Sequence, residues 1–207
     1  SMALAVVWDQ PRKPLHHQMG GRQLSYKPNI EKRYSYFRDL YGRRDAEVPY
    51  RELSVSALRW VVDVPVPLSE LTWVRENVRG RVRSWDEKYE EIDYDVARAR
   101  RGVYQWPHGA YTLAAIREHG GICVDQGYYA TITARAFGIP SLLFVGFGRR
   151  GPHAWFGYLE DRREWVLDAG RYERDRYATG HALDPQMNQA MTDHDVQYAC
   201  DRAIRSD

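Results

Sequence analysis

The stretch Gly120–Pro140, GGICVDQGYYATITARAFGIP, decides how the rest of the chain is read. Tyr129, Ile132 and Ala136 recur at helical spacing, Gly138 follows, and Pro140 comes two residues on; together they predict a helix that stops at the glycine. Cys123 then falls at the helix start, directly after a Gly-Gly-Ile turn. There the unpaired N–H groups and the positive end of the helix dipole favour a thiolate, the reactive form of cysteine. The same N–H groups suit the oxyanion that forms when sulfur attacks a carbonyl. Most free cysteines are buried and inert, so the role of Cys123 depends on what its surroundings supply. Asp125, in the first helical turn, complements the dipole and reads as structural.

A nucleophilic thiolate needs a histidine to take and return protons, and a third group to orient that histidine. SLLFVGFG, HAWFGYL and REWVLDAG are rich in aromatic and large apolar residues and predict three strands after Pro140. His153 begins the second and Asp168 ends the third, on either side of the charged tetrad Glu160, Asp161, Arg162 and Arg163. If the tetrad is the turn and the arms are equal, the two residues lie within one or two rungs, each roughly 3.3 Å along the strand. This spacing lets His153 and Asp168 meet but does not by itself bring Cys123 to them. Trp155, two residues on from His153, is expected to shield the pair from water. Arg149 and Arg150 read as a solvated loop near the mouth of the site.

Upstream, residues 1–45 are polar and broken by Pro11, Pro14, Gly20, Gly21 and Pro28, which predicts an irregular arm with one short helix through IEKRYSYFRDLY. The adjacent His16 and His17 lack further ligands at metal spacing and read as polar surface. From residue 46 a single domain runs to 207. Its first half is helical: SELTWVRENV behind Ser69 as N-cap, SWDEKYEEI opened by a Ser84/Glu87 capping box, and YTLAAIREHGG closed by glycine. Thr192 caps a last helix through DHDVQYACDRAI, with Cys200 as a packed or surface thiol. Helices followed by a strand-rich centre make the fold class α+β.

The 207 residues are 43% hydrophobic and 28% charged, with a net charge of +2. That balance suits one globular core and carries no whole-chain signal for nucleic acid; the local arginine clusters read as solvated faces. No apolar run approaches the roughly 18 residues that span a bilayer, and the opening SMALAVVWDQP lacks the basic region and cleavage site of a signal peptide. The leading Ser-Met reads as a cloning remnant, so a domain of a larger multidomain protein is expected. Two cysteines make no disulfide framework.

Taken in order, GGICVDQ, FGIPSLLFVGFG, HAW and W-x-L-D resemble the core of the transglutaminase-like superfamily, relatives of the papain-type cysteine proteases, in its bacterial form. The match covers residues 111–172. The resemblance implies a Cys-bearing central helix packed on an antiparallel sheet or open barrel. Carried onto this chain, it makes Cys123 the nucleophile, His153 the general base and acid, and Asp168 the orienting carboxylate. GVYQWPHG offers Gln105 and Trp106 as candidates for the upstream side chain that completes the oxyanion hole at the substrate.

Such proteins transfer acyl groups from amides without a cofactor. Some animal relatives need calcium, but this chain has no acidic calcium loop. The expectation is a thioester on Cys123 formed from a protein or peptide substrate. Release to water makes a peptidase or amidase, and release to an amine makes a transglutaminase. The alternative is a non-catalytic module that binds peptide in the same cleft.

Overall fold

The computed structural model describes residues 2–10, 15–16, 28–49, 51, 53–148, 151–161, 164–171, 179–196 and 198. Helices α1 (Met2–Val7), α2 (Ile30–Gly42), α3 (Val55–Val62), α4 (Leu68–Asn77), α5 (Glu87–Glu90), α6 (Val96–Arg100), α7 (Leu113–His119) and α8 (Cys123–Ala136) come first. Strands β1 (Ser141–Gly148), β2 (Gly151–Leu159), β3 (Trp165–Ala169), β4 (Thr179–Leu183) and β5 (Ala190–Met191) follow in one sheet of order β3-β2-β1-β4-β5. Every neighbouring pair is antiparallel, so the fold is α+β.

The organising element is α8. It starts where Asp125 reaches back to the Ile122 N–H at 2.9 Å. It ends where Gly138, at φ +77, lets the Gly138 and Ile139 N–H groups turn onto the carbonyls of Arg135 and Ala134. Every residue after Cys123 in this helix is buried, as a helix enclosed on all sides requires. Gly127 allows α8 to lie close on the sheet: a Cβ there would come within 2.8 Å of Leu143 Cδ1.

Strand alternation divides the sheet into two faces. Leu143 and Val145 of β1, with Ala154, Phe156 and Tyr158 of β2, pack with α8 in the main core. Leu142, Phe144, Trp155, Leu159 and Trp165 point the other way and form a second core around Trp60 of α3. Burial of each such side chain contributes about 1.5–3 kcal/mol.

Several local expectations change. The first residues, expected as an irregular arm, contribute Ala3, Leu4, Val7 and Trp8 to the main core, and the Trp8 indole donates to the Val62 carbonyl at 3.0 Å. The run RELSVSALRWVVDVP supplies α3, capped by Ser54 on the Ala57 N–H at 3.1 Å. Helix α4 begins at Leu68 with Pro67 as its cap residue, so Ser69 lies inside the first turn. The Ser84/Glu87 box does not form: Ser84 ends a 3-10 turn, and α5 starts behind Asp86. Thr112 caps α7 at the Ala115 N–H, and α7's first amide is taken by Glu70 from α4 at 2.8 Å. Thr192 pairs with Asp195 at the start of the last helical turn, whose continuation through Cys200 lies outside the described residues. Among the described residues no helix is long and apolar enough to cross a membrane.

Candidate active site

Cys123 is partly exposed at the N-terminus of α8 and opens onto a cleft of about 550 Å³ between that helix start and the sheet. The cleft is walled mainly by apolar side chains, among them Ile122, Val124, Val145, Phe147 and Tyr104, and His16, His153 and His181 line it too. The backbone N–H groups of Ala154, Val124 and Cys123 itself favour the thiolate. The Ala154 amide is the peptide that follows His153, so the thiol sits one residue from the histidine that sequence reasoning selected. The same Ala154 offers its carbonyl to the Tyr89 hydroxyl at 2.8 Å. Val145 and Ala154 are partners in the β1–β2 register, and β3 has ended before reaching this level.

The electrostatics of the thiol differ from expectation. Burial pushes the Cys123 thiol up, and the Asp125 carboxylate adds to that; the three N–H groups act in the opposite direction without prevailing. A helix start stabilises a thiolate only locally, whereas loss of solvent acts on the whole charge.

Asp125 anchors the helix start as the sequence suggested, and in more detail. Its carboxylate accepts from Arg98 at 2.6 Å, from the Ile122 amide, and from the Tyr111 hydroxyl at 2.8 Å. Burial pushes the Asp125 carboxyl up, with the Arg98 guanidinium as the chief opposing influence. Tyr111 in turn meets the His16 ring at 3.0 Å. His16 is therefore a buried wall of the cleft, not polar surface, because tertiary packing brings residues 15–16 beside α8. His17 lies outside the described residues.

His153 donates from Nε2 to the Gly170 carbonyl at 2.9 Å, since a carbonyl only accepts. In the neutral ring Nδ1 is then the unprotonated nitrogen. Asp168 does not take this place. Its side chain is exposed, and among the described residues it forms no hydrogen bond or ion pair with His153. The equal-arm assumption failed at the turn. Glu160 and Asp161 close on Glu164, Leu159 pairs with Trp165, and a bulge then adds one residue to β3 so that Phe156 pairs with Ala169. Continued to His153, that register points to position 172, leaving Asp168 about 13 Å short along the strand.

Trp155 is buried on the face away from α8, donates to the Leu167 carbonyl at 3.1 Å, and does not line the cleft. Its ring lies 5.9 Å from that of His153, the two planes 26° apart. Gln105 is exposed, and Trp106 is buried against Tyr111, His108 and Arg98; neither reaches the cleft, where Tyr104 stands instead. Arg149 and Arg150 lie outside the described residues. Tyr89, Gly170, His16 and His181 carry no motif in the sequence. Tyr89, at the helical position that faces the sheet, was legible only as a core residue. Among the described residues no group of three or more His, Cys, Asp or Glu side chains is placed to hold a metal ion.

No family model and no curated protein matches the chain. Among solved structures, a candidate cysteine protease from Cytophaga hutchinsonii is similar at 16% identity and a TM-score of 0.38 over 70% of this chain. The chain spans about half of that protein, 47% of its length.

Proposed function

We propose that the protein is a thiol-dependent acyl-transfer enzyme of papain-like, transglutaminase-like architecture, with Cys123 as nucleophile and His153 as proton carrier. The observation that carries this reading is that Cys123, at a helix start, and His153 with its neighbour Ala154 line one open cleft. In the first step His153 Nδ1 takes the thiol proton as sulfur attacks the carbonyl carbon of an amide, and the C=O π pair moves onto oxygen. Collapse of the adduct expels the amine, which leaves with the proton from the imidazolium, and a thioester remains on Cys123. Water or a primary amine then attacks, giving up its proton to the imidazole and later returning the thiol. General acid–base transfer of this kind contributes about 10²–10⁴-fold. Burial pushes the Cys123 thiol up, which favours proton transfer once substrate is in place.

The apolar walls favour an uncharged, apolar side chain beside the reacting carbonyl of a protein or peptide. The raised thiol gives weight to a second reading, a peptide-binding module in the same cleft. Incubation with a peptide library, with and without a primary amine, followed by mass spectrometry separates the two. Hydrolysed or amine-linked products that vanish in Cys123→Ala support the enzyme. Peptide retained without turnover, equally in wild type and Cys123→Ala, supports the binding module and sinks the enzyme.

A further inference from the structure

We propose that Tyr104 and Phe147 grip a large apolar side chain of the polypeptide substrate, an aromatic one above all, next to the carbonyl that Cys123 attacks. This deepens the reading of Cys123 as nucleophile and rests on it.

Phe147 enters the cleft because β1 runs on past the start of α8. Leu143, Val145 and Phe147 alternate onto one face of β1, the face that α8 covers. Leu143 stands against Gly127 in the second turn of the helix, and Val145 still packs with the main core. Phe147 lies two residues further on, beyond the helix start, and is 68% exposed. Its partner in the β1–β2 register is Pro152, which lines the cleft with it.

Tyr104 comes from the helical side. Gly102, at φ +64, turns the chain out of α6, and the Val103 N–H returns to the Arg98 carbonyl at 3.1 Å. The Arg98 guanidinium donates to the Val103 and Tyr104 carbonyls at 2.9 and 2.7 Å and to the Asp125 carboxylate at 2.6 Å. Asp125 in turn accepts from the Ile122 N–H, the amide directly before Cys123. One buried guanidinium therefore fixes the backbone of Tyr104 relative to the nucleophile, while the Tyr104 side chain stays 51% exposed.

The two rings thus reach the cleft from different layers of the fold, and the lining they share includes Ile122, Val124 and Val145. A ring held half in water forgoes burial that a substrate side chain restores. Aromatic rings also attract one another beyond the area they bury, which favours an aromatic side chain over an aliphatic one. At about 550 Å³ the cleft has the size of a small-ligand site, so it takes a side chain and its adjoining peptide, not a folded surface.

The test uses the full chain and the ethyl thioesters of N-acetyl-phenylalanine, N-acetyl-glutamine and N-acetyl-alanine, whose leaving group carries no ring. Acylation of Cys123 is located by peptide mass spectrometry, and each rate is divided by that with free N-acetylcysteine. Phenylalanine is expected to exceed alanine by about 30-fold, as a large apolar side chain does in a pocket that fits it, with glutamine close to alanine. Tyr104→Ala and Phe147→Ala are each expected to lower that preference about fivefold, and Tyr104→Phe, which keeps the ring, to retain it. A wild-type preference below about threefold, a preference for glutamine, or a phenylalanine preference undiminished in both alanine variants would overturn the proposal. If no thioester acylates Cys123, the nucleophile reading falls and the grip is read from binding, by amide shifts on titration with N-acetyl-phenylalanine amide and N-acetyl-alanine amide. Tighter binding of the phenylalanine amide that Tyr104→Ala weakens supports the grip, and equal binding of the two overturns it.

Discussion

Removal of the Arg98 guanidinium offers the most direct measure of how the Cys123 helix start is built. The Arg98 and Asp125 side chains are 2% and 0% exposed and 2.6 Å apart. Arg98 also donates to the Val103 and Tyr104 carbonyls at 2.9 and 2.7 Å. In Arg98→Met the apolar stem is kept, while the Asp125 carboxylate stays buried with only the Ile122 amide and the Tyr111 hydroxyl as donors. Breaking a buried pair in this way costs about 3–5 kcal/mol. With a urea slope of about 2 kcal/mol/M, the unfolding midpoint falls by about 2 M.

The pH dependence has a definite sign. Burial already raises the Asp125 carboxyl above its ordinary value, and Arg98 is the main group holding it down. An acid raised on folding binds its proton more tightly in the folded state, so stability is lost as pH rises from the unfolded value to the folded one. Without Arg98 the upper edge of that window moves up. The deficit of Arg98→Met is therefore small near pH 4 and larger at neutral pH, and adding Asp125→Asn recovers much of it by removing the charge. Urea unfolding at both pH values, followed by tryptophan fluorescence, measures this. A deficit under about 1 kcal/mol at neutral pH, as for an exposed pair, would refute the reasoning, and so would an equal deficit at both pH values.

Alkylation by iodoacetamide, located by peptide mass spectrometry, should modify Cys123 more slowly than an ordinary cysteine at neutral pH and climb only above the usual thiol range near about 8.5, because burial raises the thiol. A labelling rate that levels off below pH 8 contradicts this. Gly127→Val forces side-chain atoms between α8 and β1, where Leu143 Cδ1 stands 2.8 Å from the first added carbon. Overpacking of this kind costs about 1–3 kcal/mol, lowering the melting temperature by roughly 2–10 °C, and an unchanged melt would show that the contact is loose.

Much of the frame was legible because its signals are local. The Gly138–Pro140 stop of α8, the Gly120 stop of α7 and the helix through Ile30–Gly42 need only neighbouring residues to be read. The strand runs of β1, β2 and β3 stood out by composition. The caps of α4 and α5 were misplaced because neither helix start carries a side-chain cap: α4 begins behind Pro67 and α5 behind Asp86. Strands β4 and β5 are short and have little apolar patterning of their own; β4 is held by its register with Val145, Gly146 and Phe147. The arm before residue 45 reads as polar, yet Leu4, Val7 and Trp8 find a core to enter.

The sequence by itself determined a helix with cysteine at its start, the strands that follow it, and a histidine at the beginning of the second strand. Those features depend on periodicity, capping and turn residues within a few positions of one another. Only the tertiary structure decided that Cys123 and His153 line one cleft, that burial outweighs the helix dipole, and that a bulge in β3 shifts Asp168 out of register with His153 while the turn after it brings the Gly170 carbonyl to His153 Nε2. Register, desolvation and close approach depend on groups far apart in the chain. A one-residue insertion in a strand changes which atom arrives at the site while leaving the strand's own composition unaltered.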